Sequence, residues 1–108
     1  MNTPGKKIED RLDLLSLLPY EESGIVSKQI LKDDNGNATV FSIYEGEKLT
    51  CSSFPHRVLL VGLEGSAELA IGKESFTIGA LESMIIPNDM KYSLVATDNF
   101  KMLLVSKV

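Results

Sequence analysis

One histidine, one cysteine and no tryptophan stand among 108 residues, and each scarcity closes off a class of function. With His56 as the sole imidazole, a single chain cannot assemble a metal centre that needs two histidines. With Cys51 as the sole thiol, no internal disulfide forms, which fits a reducing compartment. Long apolar runs are missing as well. The longest without glycine are four residues, as in Val58-Leu59-Leu60-Val61, far short of a membrane span, so no membrane partner is expected. The chain begins with Lys6-Lys7, Ile8 and Glu9-Asp10-Arg11 rather than the apolar core of a signal peptide, and a cytoplasmic location is expected. Basic excess is also lacking. Eleven Lys and Arg against 15 Asp and Glu leave a net charge of −4, with the basic residues scattered. Nucleic acid needs a concentrated Lys/Arg face, so no nucleic acid partner is expected.

What the chain does have is punctuation for short strands. From about Gly24 onward, β-rich runs alternate with turn signals at close spacing, the pattern of an all-β sandwich or barrel. Ile25 to Leu31 stops at Asp33-Asp34-Asn35-Gly36-Asn37, where Asn-Gly is read as supplying a left-handed hairpin turn. Thr39 to Tyr44 ends at Glu45-Gly46, and Arg57 to Val61 and Ala67 to Ile71 flank Glu64-Gly65. Phe76 to Ile78, Met84 to Ile86, Tyr92 to Ala96 and Lys101 to Val105 follow. Eight or nine strands suffice to close a barrel, which removes exposed sheet edges.

The first 24 residues differ. Ile8, Leu12, Leu15 and Leu18 fall near helical spacing, and Pro19 ends the run. Leu14 and Leu17 widen the apolar stripe, so an extended arm lying on the barrel is the alternative to a short helix. The domain reading is therefore an N-terminal arm or short helix over 1–24 and a β-barrel over 25–108.

Two segments narrow the architecture. Gly46 and Gly65 have the separation of the end glycines in G-x5-H-x-H-x3,4-E-x6-G, and Glu64-Gly65 to Gly72 matches the hairpin that follows it. Leu81-Glu82-Ser-Met-Ile-Ile86-Pro87-Asn-Asp-Met-Lys-Tyr92 is similar to G-D-x-x-x-I-P-x4-H. Together these resemble the two signatures of the cupin superfamily, and the small single-domain "conserved barrel", RmlC-like members above all. The resemblance implies a cupin double-stranded β-helix, a jelly-roll barrel. It also implies a homodimer, paired through the face of one sheet and the N-terminal arm.

The resemblance places the metal ligands on residues of other kinds. The first histidine position falls on Ser52 or Cys51, the second on Phe54 or Ser53, the glutamate on Val58 and the last histidine on Tyr92. Serine, phenylalanine and valine are poor divalent-metal ligands, so no metal and no other cofactor is expected. A metal would return only through a set such as Cys51, His56 and a carboxylate, or by sharing across a dimer.

The same positions give the candidate site. Ser52, Phe54, Val58, Met84 and Tyr92 would line an apolar cavity with a few polar groups, suited to a small organic ligand. Tyr92 and His56 are the candidate acid and base should the barrel catalyse a proton transfer, as metal-independent isomerases, epimerases and cyclases of the superfamily do. Cys51 reads as a buried thiol, or as a nucleophile if a base lies beside it. Three functions follow: a non-catalytic binding module, a structural or regulatory dimer, or a metal-independent enzyme. The room inside the barrel discriminates the first from the second.

Overall fold

The computed structural model describes residues 11–51 and 55–107. Its strands are β1 (Ile25–Lys32), β2 (Gly36–Ile43), β3 (Lys48–Cys51), β4 (Val58–Glu64), β5 (Ser66–Ile71), β6 (Glu74–Gly79), β7 (Ser83–Ile86), β8 (Tyr92–Ala96) and β9 (Phe100–Lys107). They pair antiparallel in a five-stranded sheet, ordered β1-β2-β9-β4-β7, and a four-stranded sheet, ordered β3-β8-β5-β6. Alternation along each strand turns one set of side chains to the interior between the sheets. Ile43, Leu60, Leu69, Ile78, Leu94 and Phe100 are the larger members of that core.

The turns account for the sequence punctuation, with one correction. Gly65 has φ +77°, and a Cβ there would sit 1.9 Å from the carbonyl oxygen of Asn99, so only glycine fits where β4 turns into β5. The Asn35-Gly36 turn, in contrast, is not left-handed: neither residue has a positive φ. Asp33 organises it, its carboxylate accepting from the backbone N–H groups of Asn35 (2.8 Å) and Gly36 (3.1 Å). Gly36 answers a different need. A Cβ there would lie 2.8 Å from the carbonyl oxygen of Ser106 on the neighbouring β9. Leu81, which stands where the second signature has glycine, has the left-handed backbone that favours glycine, at φ +65°.

Among the described residues of the N-terminal segment, 11–24, there is no helix. One turn closes at Asp13, whose carboxylate accepts from the N–H of Leu15 (3.1 Å) and whose carbonyl accepts from Ser16 (3.2 Å), and a second closes from Gly24 N–H to Glu21 O (3.0 Å). The rest is an arm across the outside of the five-stranded sheet. Its carbonyls are needed by the sheet beneath. Ser42 Oγ donates to Leu18 O at 2.7 Å, and Lys101 Nζ donates to Leu15 O. Ser42 and Lys101 are cross-strand partners on β2 and β9, and both are buried. Buried polar groups require partners, and the outward-turned carbonyls of an irregular arm supply them where a helix would have used its own. Lys101 also lies over the Tyr20 ring, 4.9 Å from its centroid, and the Tyr20 hydroxyl donates to Glu64 Oε2 at 2.6 Å. Burial first, and Glu64 second, raise the Tyr20 phenol above its usual range.

Candidate functional site

The interior changes character along its length. On β2 the inward side chains run Ile43, Phe41, Thr39, Asn37, and on β9 they run Phe100, Met102, Leu104, Ser106. The register pairs these residues in that order. At one end Ile43 and Phe100, with Ala96 and Ala67, are sealed. At the other, Thr39, Asn37, Leu104 and Ser106 are only half-buried. Apolar bulk therefore plugs one end of the barrel, and small polar side chains leave the other open.

A cavity of about 210 Å³ occupies the open end. Its polar wall is Asn37, Thr39, Cys51, Tyr92 and Ser106. Phe41, Val58 and Leu104 supply the apolar remainder. At ~30 Å³ per molecule in the liquid, the space corresponds to roughly seven waters, or one small metabolite. Ser106 Oγ donates to Asn37 Oδ1 at 3.2 Å, which fixes the amide and leaves its nitrogen as a donor. Cys51 and Tyr92 face each other as a direct cross-strand pair of β3 and β8. Burial, and then the neighbouring Cys51 sulfur, raise the Tyr92 phenol above its usual range. Tyr92 is thus a neutral hydroxyl at physiological pH, able to donate to a carbonyl or accept from a hydroxyl.

The donor set bears on the metal that cupin barrels commonly hold. Among the described residues, no group of three or more His, Cys, Asp or Glu side chains is placed to hold a metal ion. The described cavity wall offers one thiol, one phenol, one amide and two hydroxyls, with Val58 where the signature has a carboxylate. Those groups do not fit a divalent cation: the lone thiol is the one strong ligand among them, and neutral phenol, amide and hydroxyl groups do not complete its coordination.

Of the residues singled out in the sequence, Val58 and Tyr92 line this cavity. Ser52 and Phe54 lie outside the described residues. Met84 is half-buried on β7 and packs against the core, paired across from Leu60. His56 is half-buried at the bend before β4 and is not part of the cavity wall. Sequence reasoning missed Asn37, Thr39, Phe41, Leu104 and Ser106. Their signal was present as the inward positions of two strands that grow polar in opposite chain directions, but it becomes legible only once β2 is known to pair with β9.

No protein-family model matches the chain. No curated protein matches it either. Solved structures do. A conserved protein of unknown function from Streptococcus pyogenes is 25% identical, with a TM-score of 0.84 over 94% of this chain and 90% of that one. A cupin superfamily protein from Desulfitobacterium hafniense is 20% identical, with a TM-score of 0.86 over 94% of each chain. A cupin 2 conserved barrel domain protein from Leptotrichia buccalis is 22% identical, with a TM-score of 0.88 over 95% of this chain and 50% of that one. At such identities the likeness is one of architecture, and the architecture of this chain is the cupin double-stranded β-helix.

Proposed function

We propose that this chain is a metal-independent, non-catalytic binding module that holds a small organic molecule at the open end of its barrel. The observation that carries the reading is the change from sealed apolar core to half-buried polar wall along the same two strands, with about 210 Å³ of room where the change occurs. A core built for stability alone would be closed at both ends, since each unfilled methyl-sized space costs about 1 kcal/mol. The ligand is small and uncharged where it is buried. No described residue of the wall carries a charge, and a buried ion without a partner costs several kcal/mol. Asn37, Thr39, Tyr92 and Ser106 suit a ligand with carbonyl or hydroxyl groups on a compact apolar frame.

The room inside favours this reading over an interaction protein with a filled barrel. It also favours it over a proton-transfer enzyme using Tyr92 and His56, because the thiol of Cys51, not His56, stands beside Tyr92 in the wall. A homodimer is the assembled form this reading carries with it.

Native mass spectrometry of the freshly purified, untagged chain, set against its denatured mass, tests the proposal. The expected result is a small organic adduct, one per chain, lost on denaturation. A metal-sized increment instead would overturn it, as would conversion of the adduct to a product on standing.

A further inference from the structure

The thiol and the phenol of the cavity wall are set side by side by the register of β3 and β8. The inward side chains are Leu49 and Cys51 on β3, and Tyr92, Leu94 and Ala96 on β8. Leu49 faces Leu94 and packs on the core, so the next inward pair, Cys51 with Tyr92, stands where the apolar interior gives way to the cavity. Directly opposed antiparallel residues hold their Cβ atoms about 4.5–5.5 Å apart, which keeps sulfur and hydroxyl within reach of one small molecule. On its other side Tyr92 faces Ile71 of β5, an apolar residue. Tyr92 is only 5% exposed, and it lines the cavity. Among the described residues its hydroxyl has no oxygen or nitrogen partner. Its polar neighbour is the Cys51 sulfur, a weak acceptor, and the hydrogen bond within the wall runs instead from Ser106 to Asn37. A buried hydroxyl without a strong partner in the protein takes one from water or from a ligand.

We infer that the ligand of this cavity is a small neutral aldehyde, held as a reversible hemithioacetal on Cys51 with the Tyr92 hydroxyl hydrogen-bonded to its oxygen. The inference rests on the binding module proposed above and names its ligand class. In the step, the Cys51 sulfur bonds to the carbonyl carbon and the carbon–oxygen π bond breaks. The thiol proton passes by way of the Tyr92 hydroxyl to the former carbonyl oxygen. No oxidant, reductant or second substrate enters, and the aldehyde leaves by the reverse path, so nothing is turned over. Three features of the wall select this chemistry. Thiol and aldehyde are neutral and so is their adduct, as a wall without a charged described residue requires. No described wall residue is a lysine, so the carbonyl is not drawn off as an imine. The new hydroxyl forms one carbon away from sulfur, beside the Tyr92 phenol, which gains the oxygen partner it lacks. Size limits the aldehyde. About 210 Å³, the space of roughly seven waters, holds a chain of about four to six heavy atoms.

Carbon NMR of the full chain with butanal isotopically labelled at its carbonyl carbon tests this, with butan-1-ol as a neutral probe that cannot react. The wild type is expected to turn one bound butanal per chain into a saturated carbon whose shift differs from that of the free hydrate. It should hold the aldehyde at least about tenfold more tightly than N-acetylcysteine does. Cys51→Ser, which keeps the size of the side chain, and Cys51→Ala should both abolish that signal and still bind butan-1-ol, with circular dichroism confirming that each variant folds. Tyr92→Phe should weaken the adduct about tenfold. Butanal bound with its carbonyl intact overturns the capture and leaves the binding module standing. A saturated adduct that survives loss of the thiol, or that is no tighter than the one on N-acetylcysteine, overturns it as well, since it then owes nothing to the site. Failure of both butanal and butan-1-ol to bind also overturns it, and the native mass measurement then decides the binding module separately.

Discussion

The two ends of the barrel interior are built on the same strands and do different work. At the closed end, Ile43 faces Phe100 across β2 and β9, and the loops beyond are tied down, Glu45 N–H to Asn99 Oδ1 at 2.8 Å and Ser66 Oγ to Asp98 Oδ2 at 2.9 Å. At the open end, Thr39 faces Leu104 and Asn37 is hydrogen-bonded to Ser106, and the described side chains leave a cavity of about 210 Å³ beside them. One end holds the fold together so that the other can afford a cavity. Stability and ligand retention should therefore respond to substitution at different ends.

Phe100→Ala tests the closed end with the largest expected effect. It removes a fully buried aromatic side chain and should cost about 3–5 kcal/mol, measured by denaturant unfolding. Leu104→Ala, only two inward positions away on the same strand, should cost about 1–2 kcal/mol, because its side chain already borders empty space. Equal losses at the two sites would erase the distinction. Thr39→Val keeps the shape and removes a hydroxyl from the wall. Stability should change by less than about 1 kcal/mol while the native-mass adduct is lost or weakened.

Two smaller effects sharpen the comparison. The turn before β7 belongs to the closed end: Leu81 N–H donates to Gly62 O at 2.8 Å and Leu81 is left-handed. Relief of that strain outweighs the added freedom of glycine in the unfolded chain, so Leu81→Gly should raise stability by up to about 1 kcal/mol. At the open end the Tyr92 phenol has a raised pKa in the folded protein. Such a group contributes stability that is complete below the unfolded value, near pH 10, and is lost as the pH rises through the folded one. Unfolding should become easier above about pH 10, and Tyr92→Phe should blunt that alkaline loss. The Tyr20 phenol, raised as well, adds to the same limb.

Much of the fold was legible because its signals are local. Gly65 marks a turn where a side chain would strike Asn99, Ile86-Pro87 ends β7, and burial alternates along β4, β5 and β8. The turn at Asn35-Gly36 was placed correctly but given the wrong geometry, since the Asp33 carboxylate and the closeness of β9 settle it. The arm was less legible for a physical reason. Its path is set by Ser42 and by Lys101, the latter 86 residues from the carbonyl it reaches, and no short-range pattern records that need. The site was half legible. Val58 and Tyr92 stand at signature positions, whereas Asn37, Thr39 and Ser106 enter the wall only through the pairing of distant strands.

The most direct test of the difference between the ends is a fragment titration followed by amide chemical shifts of the full, isotopically labelled chain, using matched neutral and anionic small molecules. The account predicts that neutral fragments shift Asn37, Thr39, Tyr92 and Ser106, leave Ile43, Ala96 and Phe100 unmoved, and outbind their anionic counterparts. Shifts centred on the closed end or confined to the outer faces, or a preference for the anions, would contradict it.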